Sequence, residues 1–204
     1  MNHYTVLTLM LQKLRMRRNN ATETSTPIRR TEKMRIFTYP DAVLKAKAEP
    51  VQNIDEEIRD LVDNMCETMY SAIGIGLAAN QVGELKQIIV YDVNQAEAGP
   101  NPAVLINPEI VLTDGDVVQE ESCLSVIDFS ADVDRKEKIK VRGIDKDGNP
   151  VDIEADGLLA RCLQHEIDHL NGVLFIDHIS TLKRTLYNKK VKKMMKRTDS
   201  AQDK

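Results

Sequence analysis

The 204 residues of the chain fit one domain with extensions, and a content of 42% hydrophobic and 29% charged residues is ordinary for a globular protein with a packed core. No stretch approaches the roughly 20 apolar residues that a membrane-spanning helix needs. Three cysteines and the lack of a recognisable export signal argue against a disulfide framework and predict a cytoplasmic protein.

Charge is segregated along the chain. Residues 1–33 hold seven Lys/Arg against two Glu, residues 34–182 hold twelve against 28 acidic residues, and residues 183–204 hold nine against two. We interpret residues 1–33 as a disordered basic extension, with an overlong start before Met34 or an organelle leader as alternatives. The basic C-terminal end favours a polyanionic partner such as RNA about as much as it favours a simple solvated face.

The first predicted helix covers residues 55–73. Asp55 suits the N-cap position, and the helix ends at Gly74. Apolar residues recur at helical spacing along one face, at Ile58, Leu61, Val62, Met65, Met69 and Ala72.

The segment Gly74-Ile-Gly-Leu-Ala-Ala-Asn-Gln81 contains a Gly-x-Gly pair. It follows a helix and lacks a Gly-Lys-Ser/Thr ending, so we reject a phosphate-binding loop. Two hypotheses stay open. Either the backbone closely approaches an extended substrate, with Gln81 as a hydrogen-bond donor, or the segment is a tight turn packed on the core.

Short strand-like runs follow at residues 87–93, 104–106, 110–113, 116–126, 138–144 and 151–154. The pair Asp147-Gly148 is typical of a hairpin turn between the last two runs. Closely spaced short strands predict antiparallel pairing, and helices on either side of this block predict an α+β domain.

A helix over Asp156–Gly172 carries the strongest motif. Asp156 suits the N-cap, and Gly172 suits the left-handed residue that stops the C-terminus. His165 and His169, four residues apart, point the same way and can hold one metal ion. Glu166 beside them completes the arrangement that metal-dependent hydrolases use to activate water.

Two histidines leave a catalytic metal one protein ligand short. No Glu occurs after the motif, and Cys162 lies about 10 Å along the helix from His169. Asp177 and His178 are possible donors near the start of the last helix. Cys123, flanked by serines at a strand end, is the ligand that we favour. A Cys-His-His set suits Fe(II), Zn(II) or Co(II) and excludes Mg or Ca.

Three segments together carry a resemblance to a known family. Residues 74–81, Glu-Ser-Cys-Leu-Ser at 121–125 and Gln-His-Glu-Ile-Asp-His-Leu at 164–170 resemble the three signature motifs of peptide deformylases in order and approximate spacing. The resemblance spans roughly residues 34–180. It implies an α+β fold, with antiparallel β-sheets packed around a central helix that carries the metal-binding histidines. It also implies a hydrolase that removes the formyl group from the N-terminal formylmethionine of new polypeptides.

The resemblance implies a role for each matching residue. Cys123, His165 and His169 would hold one divalent metal ion, often Fe²⁺ in the cell, with Zn²⁺, Ni²⁺ or Co²⁺ as substitutes. Glu166 would be the acid and base of the reaction. Gln81 and the backbone amide of Leu124 would face the formyl oxygen. The peptide backbone would pair with Gly74, Ile75 and Gly76.

The chain departs from the family pattern at three positions. Ser122 stands where the family nearly always has Gly, Ile127 replaces the usual Pro, and Arg161 replaces an aliphatic residue one turn before His165. We expect these changes near the site of the methionine side chain and the following residue, with Ser122 and Arg161 lining the substrate site. The guanidinium of Arg161 either narrows or polarises this site, or swings out on its long stem.

The last helix is predicted to begin at Ser180, with Lys and Arg largely outward and the apolar residues Leu182, Leu186, Val191 and Met194 inward. Residues 181–204 thus form a basic helix and tail. Some bacterial deformylases use such an extension to dock on the ribosome, and a ribosome contact is our hypothesis here. We expect no membrane and no DNA partner.

Rival functions stay open at this point. Ser122 and Arg161 suit a deformylase-like amidase with a different acyl or peptide substrate. A second rival is a non-catalytic, metal-stabilised ribosome-binding homologue, although a closed structural site needs neither Glu166 nor Gln81. A general metalloprotease is the weakest rival, because a third ligand of the right kind is missing.

Overall fold

The computed structural model describes residues 32–202, with side chains described through residue 197. The predicted extension, residues 1–33, lies outside this part of the chain except for its last two residues. The helices are α1 (Glu56–Ser71), α2 (Gln95–Ala98), α3 (Gly157–Leu170) and α4 (Thr181–Gln202). The strands are β1 (Gly76–Ala78), β2 (Ile88–Tyr91), β3 (Ala103–Asp114), β4 (Val117–Cys123), β5 (Val126–Arg135), β6 (Lys138–Ile144) and β7 (Pro150–Asp156).

The strands form two antiparallel sheets, so the predicted α+β fold is confirmed. Five strands pair in the order β1-β2-β3-β6-β7, and β4 pairs with β5 in a separate hairpin. The turn between β6 and β7 contains the predicted glycine, Gly148, at a φ of +89°. None of the helices in residues 32–202 combines the length and the apolar character needed to cross a bilayer.

The strand boundaries differ from the sequence prediction in three places. The runs at 104–106 and 110–113 belong to one strand, β3. Its pairing with β6 is interrupted by register shifts after Ile106 and after Ile110. The run at 116–126 comprises β4, a turn and the first residue of β5. The prediction missed β1 and most of β5. Phe129, Ala131 and Val133 of β5 alternate with exposed polar residues, which is a strand pattern that the prediction overlooked.

Helix α1 forms as predicted. The Asp55 side chain caps it by accepting a hydrogen bond from the Ile58 amide at 3.0 Å. Its C-terminus closes through two hydrogen bonds, from the Ile73 amide to the Tyr70 carbonyl and from the Gly74 amide to the Met69 carbonyl. These bonds define a Schellman motif, in which Ile73 holds the left-handed position at a φ of +58°. The buried face, which packs in the second apolar cluster of the core, is formed by Ile58, Val62, Met65 and Met69.

Helix α3 lies at the centre of the fold. Its apolar face packs on the five-stranded sheet through Ala160, Leu163, Ile167 and Leu170. Gly172 follows the helix at a φ of +73°, where an added Cβ would lie 2.5 Å from the Lys45 carbonyl oxygen, so the predicted stop is confirmed. The predicted capping by the Asp156 side chain is wrong. Asp156 is the last residue of β7, and its side chain makes no capping hydrogen bond.

The packing of helix α4 agrees with the prediction at Val191, which is buried, and at Met194, which is half-buried, but differs from it nearer the N-terminus. Tyr187 and Val191 are buried, and the Tyr187 ring stacks on Phe129 with centroids 4.6 Å apart. Leu182 and Leu186, which were predicted to face inward, are 71% and 58% exposed. The basic side chains with described positions are largely exposed, as predicted.

Candidate metal centre and substrate cavity

Three predicted ligands come together from two separate parts of the chain. Helix α3 places His165 and His169 on one face, with ring centroids 5.0 Å apart. Cys123 ends β4, and its Sγ lies 3.1 Å from His169 Nε2. One donor atom from each of the three residues lies within 4.8 Å of the other two. Metal bonds of about 2.0–2.3 Å would bring such donors onto one ion with small side-chain shifts.

The remaining candidate ligands lie apart from this cluster. The Cys162 thiol is buried and donates to the Ile75 carbonyl at 3.5 Å. Burial, followed by the charge of Glu166, raises the pKa of the Cys162 thiol well above its usual range. Asp177 pairs with Lys45, and His178 Nε2 lies 2.8 Å from an Asp168 oxygen. Cys162, Asp177 and His178 therefore have structural partners of their own.

A buried charge network supports the histidines from behind. Glu121 Oε2 contacts His165 Nδ1 at 2.8 Å, and Glu121 Oε1 accepts from Arg135 Nε at 2.7 Å. Arg135 Nη1 continues the network to Asp168 at 2.5 Å. Burial alone would raise the pKa of Glu121, but hydrogen bonds from His165 and Arg135 outweigh it and lower that pKa to about 2. An ionised Glu121 therefore fixes the orientation of the His165 ring and leaves Nε2 for a metal.

Sequence reasoning missed this network. A usable signal was present for Glu121, because it lies two residues before Cys123 on a strand and alternate residues share a face. No comparable signal marks Arg135 or Asp168. Arg135 ends β5, most of which the prediction missed.

The electrostatic environments of the two histidines differ. Burial disfavours a protonated imidazole, but the sulfur of Cys123 and the carboxylate of Glu121 hold the pKa of His165 well above its usual range. Burial and the charge of His165 lower the pKa of His169 well below its usual range. A neutral imidazole is the metal-binding form, so the lowered pKa favours this form in His169, whereas His165 would have to lose a proton before it could bind an ion.

Glu166 is buried next to the cluster, with 5% of its surface exposed. Its Oε2 has no hydrogen-bond partner among the described residues. Burial raises the pKa of Glu166 to about 7, although the charge of His165 opposes the shift. A buried carboxylate oxygen without a partner, beside a three-donor cluster, fits a metal site that holds a water molecule.

Gln81 is oriented by its neighbours and reaches the same site. Its Oε1 accepts from the Ala78 amide at 2.8 Å, which fixes the direction of the side-chain amide. Its Nε2 contacts Ser125 Oγ at 3.1 Å and Cys123 Sγ at 3.6 Å. The neighbouring Asn80 side chain donates to the backbone carbonyl of His169, so the loop is tied to α3.

A cavity of about 390 Å³ opens above these groups. Gly74, Ile75 and Gly76 form part of its wall, together with Gln81 and Leu124. The cavity is also lined by Glu166, His165 and Cys123. This arrangement agrees with the hypothesis that the loop faces a substrate.

The other hypothesis for residues 74–81, a tight turn packed on the core, also applies to one residue of the cavity wall, Gly76. A Cβ at Gly76 would overlap Glu166 Oε1 and would lie 2.9 Å from Cys162 Sγ. Glycine at this position therefore allows β1 to approach α3 closely, whatever the cavity holds.

Two of the three departures from the family pattern line the cavity. Ser122 is exposed at its edge, and Arg161 Nη1 donates to the Glu120 carbonyl at 3.2 Å. Ile127 is not part of the lining, and its carbonyl accepts from Tyr187 Oη at 3.3 Å. The structure thus brings two of the three departures to this cavity, and a place for Ile127 at the substrate site stays a prediction.

Comparison with protein families gives a match over most of the chain. The model of the polypeptide deformylase family matches residues 33–185. A peptide deformylase of Thermodesulfovibrio yellowstonii is 54% identical over 159 residues, which cover 78% of this chain and 96% of that protein. A peptide deformylase of Chromohalobacter salexigens is 49% identical and covers 84% of this chain and 98% of its own length.

Solved structures agree with the sequence comparisons. A crystal structure of a peptide deformylase from Legionella pneumophila has a TM-score of 0.77 at 41% identity and covers 82% of this chain and 98% of its own. A crystal structure of peptide deformylase from Ehrlichia chaffeensis in complex with actinonin has a TM-score of 0.76 at 43% identity. The match covers 80% of this chain and 98% of that chain. This chain belongs to the polypeptide deformylase family, metal-dependent hydrolases that remove the formyl group from new polypeptides.

Proposed function

We propose that this chain removes the formyl group from formylmethionyl polypeptides in the cytoplasm, with one divalent metal ion held by Cys123, His165 and His169. The observation that carries the proposal is the meeting of one sulfur and two imidazole donors beside a buried carboxylate, at the floor of a cavity. We propose Fe²⁺ as the ion in the cell, with Zn²⁺, Ni²⁺ or Co²⁺ as substitutes, because a mixed sulfur and nitrogen donor set suits these borderline metals.

When bound, such an ion would lower the pKa of a water molecule to about 7 and would so supply a nucleophile at neutral pH. The ionised Glu121 holds His165 through Nδ1, which would leave Nε2 to hold the ion. Because the pKa of His165 is raised in the protein, metal binding releases its proton. Affinity for the ion is therefore expected to fall at acidic pH.

Glu166 is the proposed acid and base. Its free Oε2 accepts a proton from the attacking water, and the same carboxyl then donates that proton to the departing amine. A carboxyl with a pKa of about 7 can perform both steps near neutral pH, because neither protonation state is strongly favoured.

Gln81 Nε2 and the backbone amide of Leu124 are the proposed donors to the formyl oxygen. The Ala78 amide holds the Gln81 side chain in place before substrate arrives, so little reorganisation is needed during the reaction. The loss of one such donor typically costs about 3–4 kcal/mol of transition-state stabilisation.

The peptide backbone is proposed to bind along the outer edge of β1. In the described chain β1 pairs with β2 only, so its other edge is available to an extended peptide. Gly74, Ile75 and Gly76 line the cavity at this edge, with Ser122 on the end of β4 at the cavity edge.

The reaction is tested by formate release from formyl-Met-Ala-Ser, compared with formyl-Leu-Ala-Ser and acetyl-Met-Ala-Ser. We expect efficient release from the formyl-Met peptide only. Glu166→Ala is expected to keep the metal, measured by elemental analysis, and to lose activity by 10²-fold or more. Near-normal turnover in Glu166→Ala would contradict its role, and cleavage of the acetyl peptide would indicate an amidase of other specificity.

A ribosome contact through α4 is proposed on the basis of charge. Exposed Lys and Arg side chains cover the outer faces of this helix, which gives a surface suited to RNA. Deletion of residues 183–204 should abolish co-sedimentation with ribosomes at low salt. Unchanged co-sedimentation would count against the contact.

A further inference from the structure

The wall of the cavity carries a cation without a counter-ion. Arg161 lies four residues before His165 on α3, which places it about 6 Å from that ligand along the helix axis. Its one hydrogen bond among the described residues is to a backbone carbonyl, and it forms no ion pair with any of them. By contrast, each of Arg135, Arg142 and Arg184 contacts a carboxylate.

The carboxylates of the cavity are engaged elsewhere. Glu121 is bound to Arg135 and His165, and Glu120 Oε1 accepts from Ser130 Oγ at 2.7 Å on the neighbouring strand. Glu166 is buried beside the metal ligands. In the described part of the chain, Arg161 is the only Lys or Arg that lines the cavity.

The apolar side chains of the cavity lining offer no charge of their own. Ile73 and Ile75 are 88% and 37% exposed at the cavity, next to Leu124. A carboxylate that enters the cavity therefore meets one described Lys or Arg partner, the Arg161 guanidinium.

The distance fits a particular residue of the substrate. The formyl group reacts beside His165, and an extended peptide advances about 3.3 Å per residue. The residue after the formylmethionine lies roughly as far from the formyl carbon as Arg161 lies from His165, about 6 Å, and the long Arg side chain can reach a carboxylate at that range.

We propose that Arg161 is a specificity-determining residue that favours substrates with Asp or Glu directly after the formylmethionine. This inference rests on the proposed deformylation, since it concerns the substrate of the same site. The guanidinium binds the carboxylate of that second residue and takes no part in the chemical step.

The test compares three peptides that differ in one side chain, formyl-Met-Glu-Ser-amide, formyl-Met-Gln-Ser-amide and formyl-Met-Lys-Ser-amide. The C-terminal amide removes the other carboxylate, so only the second residue changes the charge. We expect kcat/KM to be about threefold higher for Glu than for Gln, and about threefold lower for Lys than for Gln, as an ion pair near solvent would give. These ratios should decrease between 0.05 and about 0.5 M NaCl because salt screens the pair.

Variants then assign the preference to one side chain. Arg161→Gln should bring the Glu-to-Gln ratio to about one, Arg161→Lys should retain part of it, and Arg161→Glu should favour the Lys peptide. Arg142→Gln is the matched control, because Arg142 lies on β6, is paired with Asp152 and does not line the cavity. Its ratio should equal that of the wild type. Because both kcat/KM values of a ratio come from the same sample, a lower fraction of folded protein in a variant does not change the ratio.

Three results would overturn the inference. Equal rates for the three peptides in an active wild type would refute the role of Arg161 and leave the deformylase function intact. A wild-type Glu-to-Gln ratio in Arg161→Gln would also refute the role of Arg161. So would a larger preference for Glu at the third residue, measured with formyl-Met-Ala-Glu-amide. No formate from any peptide would refute the proposed function itself, and the inference with it.

Discussion

Replacement of Glu166 by Gln should change stability and activity in opposite directions. The carboxyl is 5% exposed, and burial raises its pKa from 4.5 to about 7, although the charge of His165 opposes the shift. Glutamine has the same shape but no ionisable group. The substitution therefore removes the cost of burying a charge and, at the same time, the group that accepts and donates the proton.

The sign of the stability change follows from the pKa shift. A carboxyl whose pKa is raised on folding destabilises the protein only at pH values at which the unfolded chain ionises it. The destabilisation by Glu166 is therefore absent below pH 4.5 and grows between pH 4.5 and about 7. A shift of this size corresponds to about 3 kcal/mol. Metal-free Glu166→Gln should thus be more stable than the metal-free wild type by up to about 3 kcal/mol at pH 8.5, and by close to zero at pH 4.5. A bound cation near the carboxylate should reduce the gain.

Urea unfolding of chelator-treated protein at the two pH values measures this difference. With m-values of about 1–3 kcal/mol/M, the midpoint of Glu166→Gln should rise by roughly 1–3 M at pH 8.5. Glu120→Gln, which removes an exposed carboxylate from strand β4, serves as the control and should change little. Formate release by metal-loaded Glu166→Gln should fall 10²-fold or more. An equal shift at both pH values, or retained activity, would refute the reasoning.

Three further substitutions test separate parts of the account. Glu121→Gln should destabilise the protein by about 3–5 kcal/mol in urea, because it breaks a buried ion pair with Arg135, and a loss below about 1 kcal/mol would contradict this. Gln81→Ala should lower kcat by about 10²–10³-fold with unchanged metal content, and an unchanged kcat would remove Gln81 from the reaction. Ile73→Gly should raise the unfolding free energy by about 1–2 kcal/mol, because Ile73 is 88% exposed in a left-handed conformation, whereas Ile73→Ala should not.

The parts of the site that could be predicted are those with a local signature. His165, Glu166 and His169 are adjacent on one helix, so their relation depends only on helical geometry. Cys123 followed from the need for a third ligand and from its setting at a strand end. The apolar spacing of α1 and the glycine after α3 were likewise sufficient to place those elements.

The parts that were missed depend on tertiary partners. The face of α4 is chosen by Tyr187, which packs against Phe129 of β5, and helical spacing alone allows Leu182 and Leu186 to face inward equally well. The network behind His165 needs Arg135, which the chain supplies from the end of β5. No local feature of the sequence connects Arg135 with the metal ligands, because their connection depends on how β5 packs in the fold.

Metal content and formate release, measured on one anaerobically purified sample, test the central claim most directly. We expect about one Fe per chain in the wild type and efficient release of formate from formyl-Met-Ala-Ser, with both lost in Cys123→Ala. A metal-loaded wild type that releases no formate, or a Cys123→Ala variant that keeps both its metal and its activity, would contradict the account.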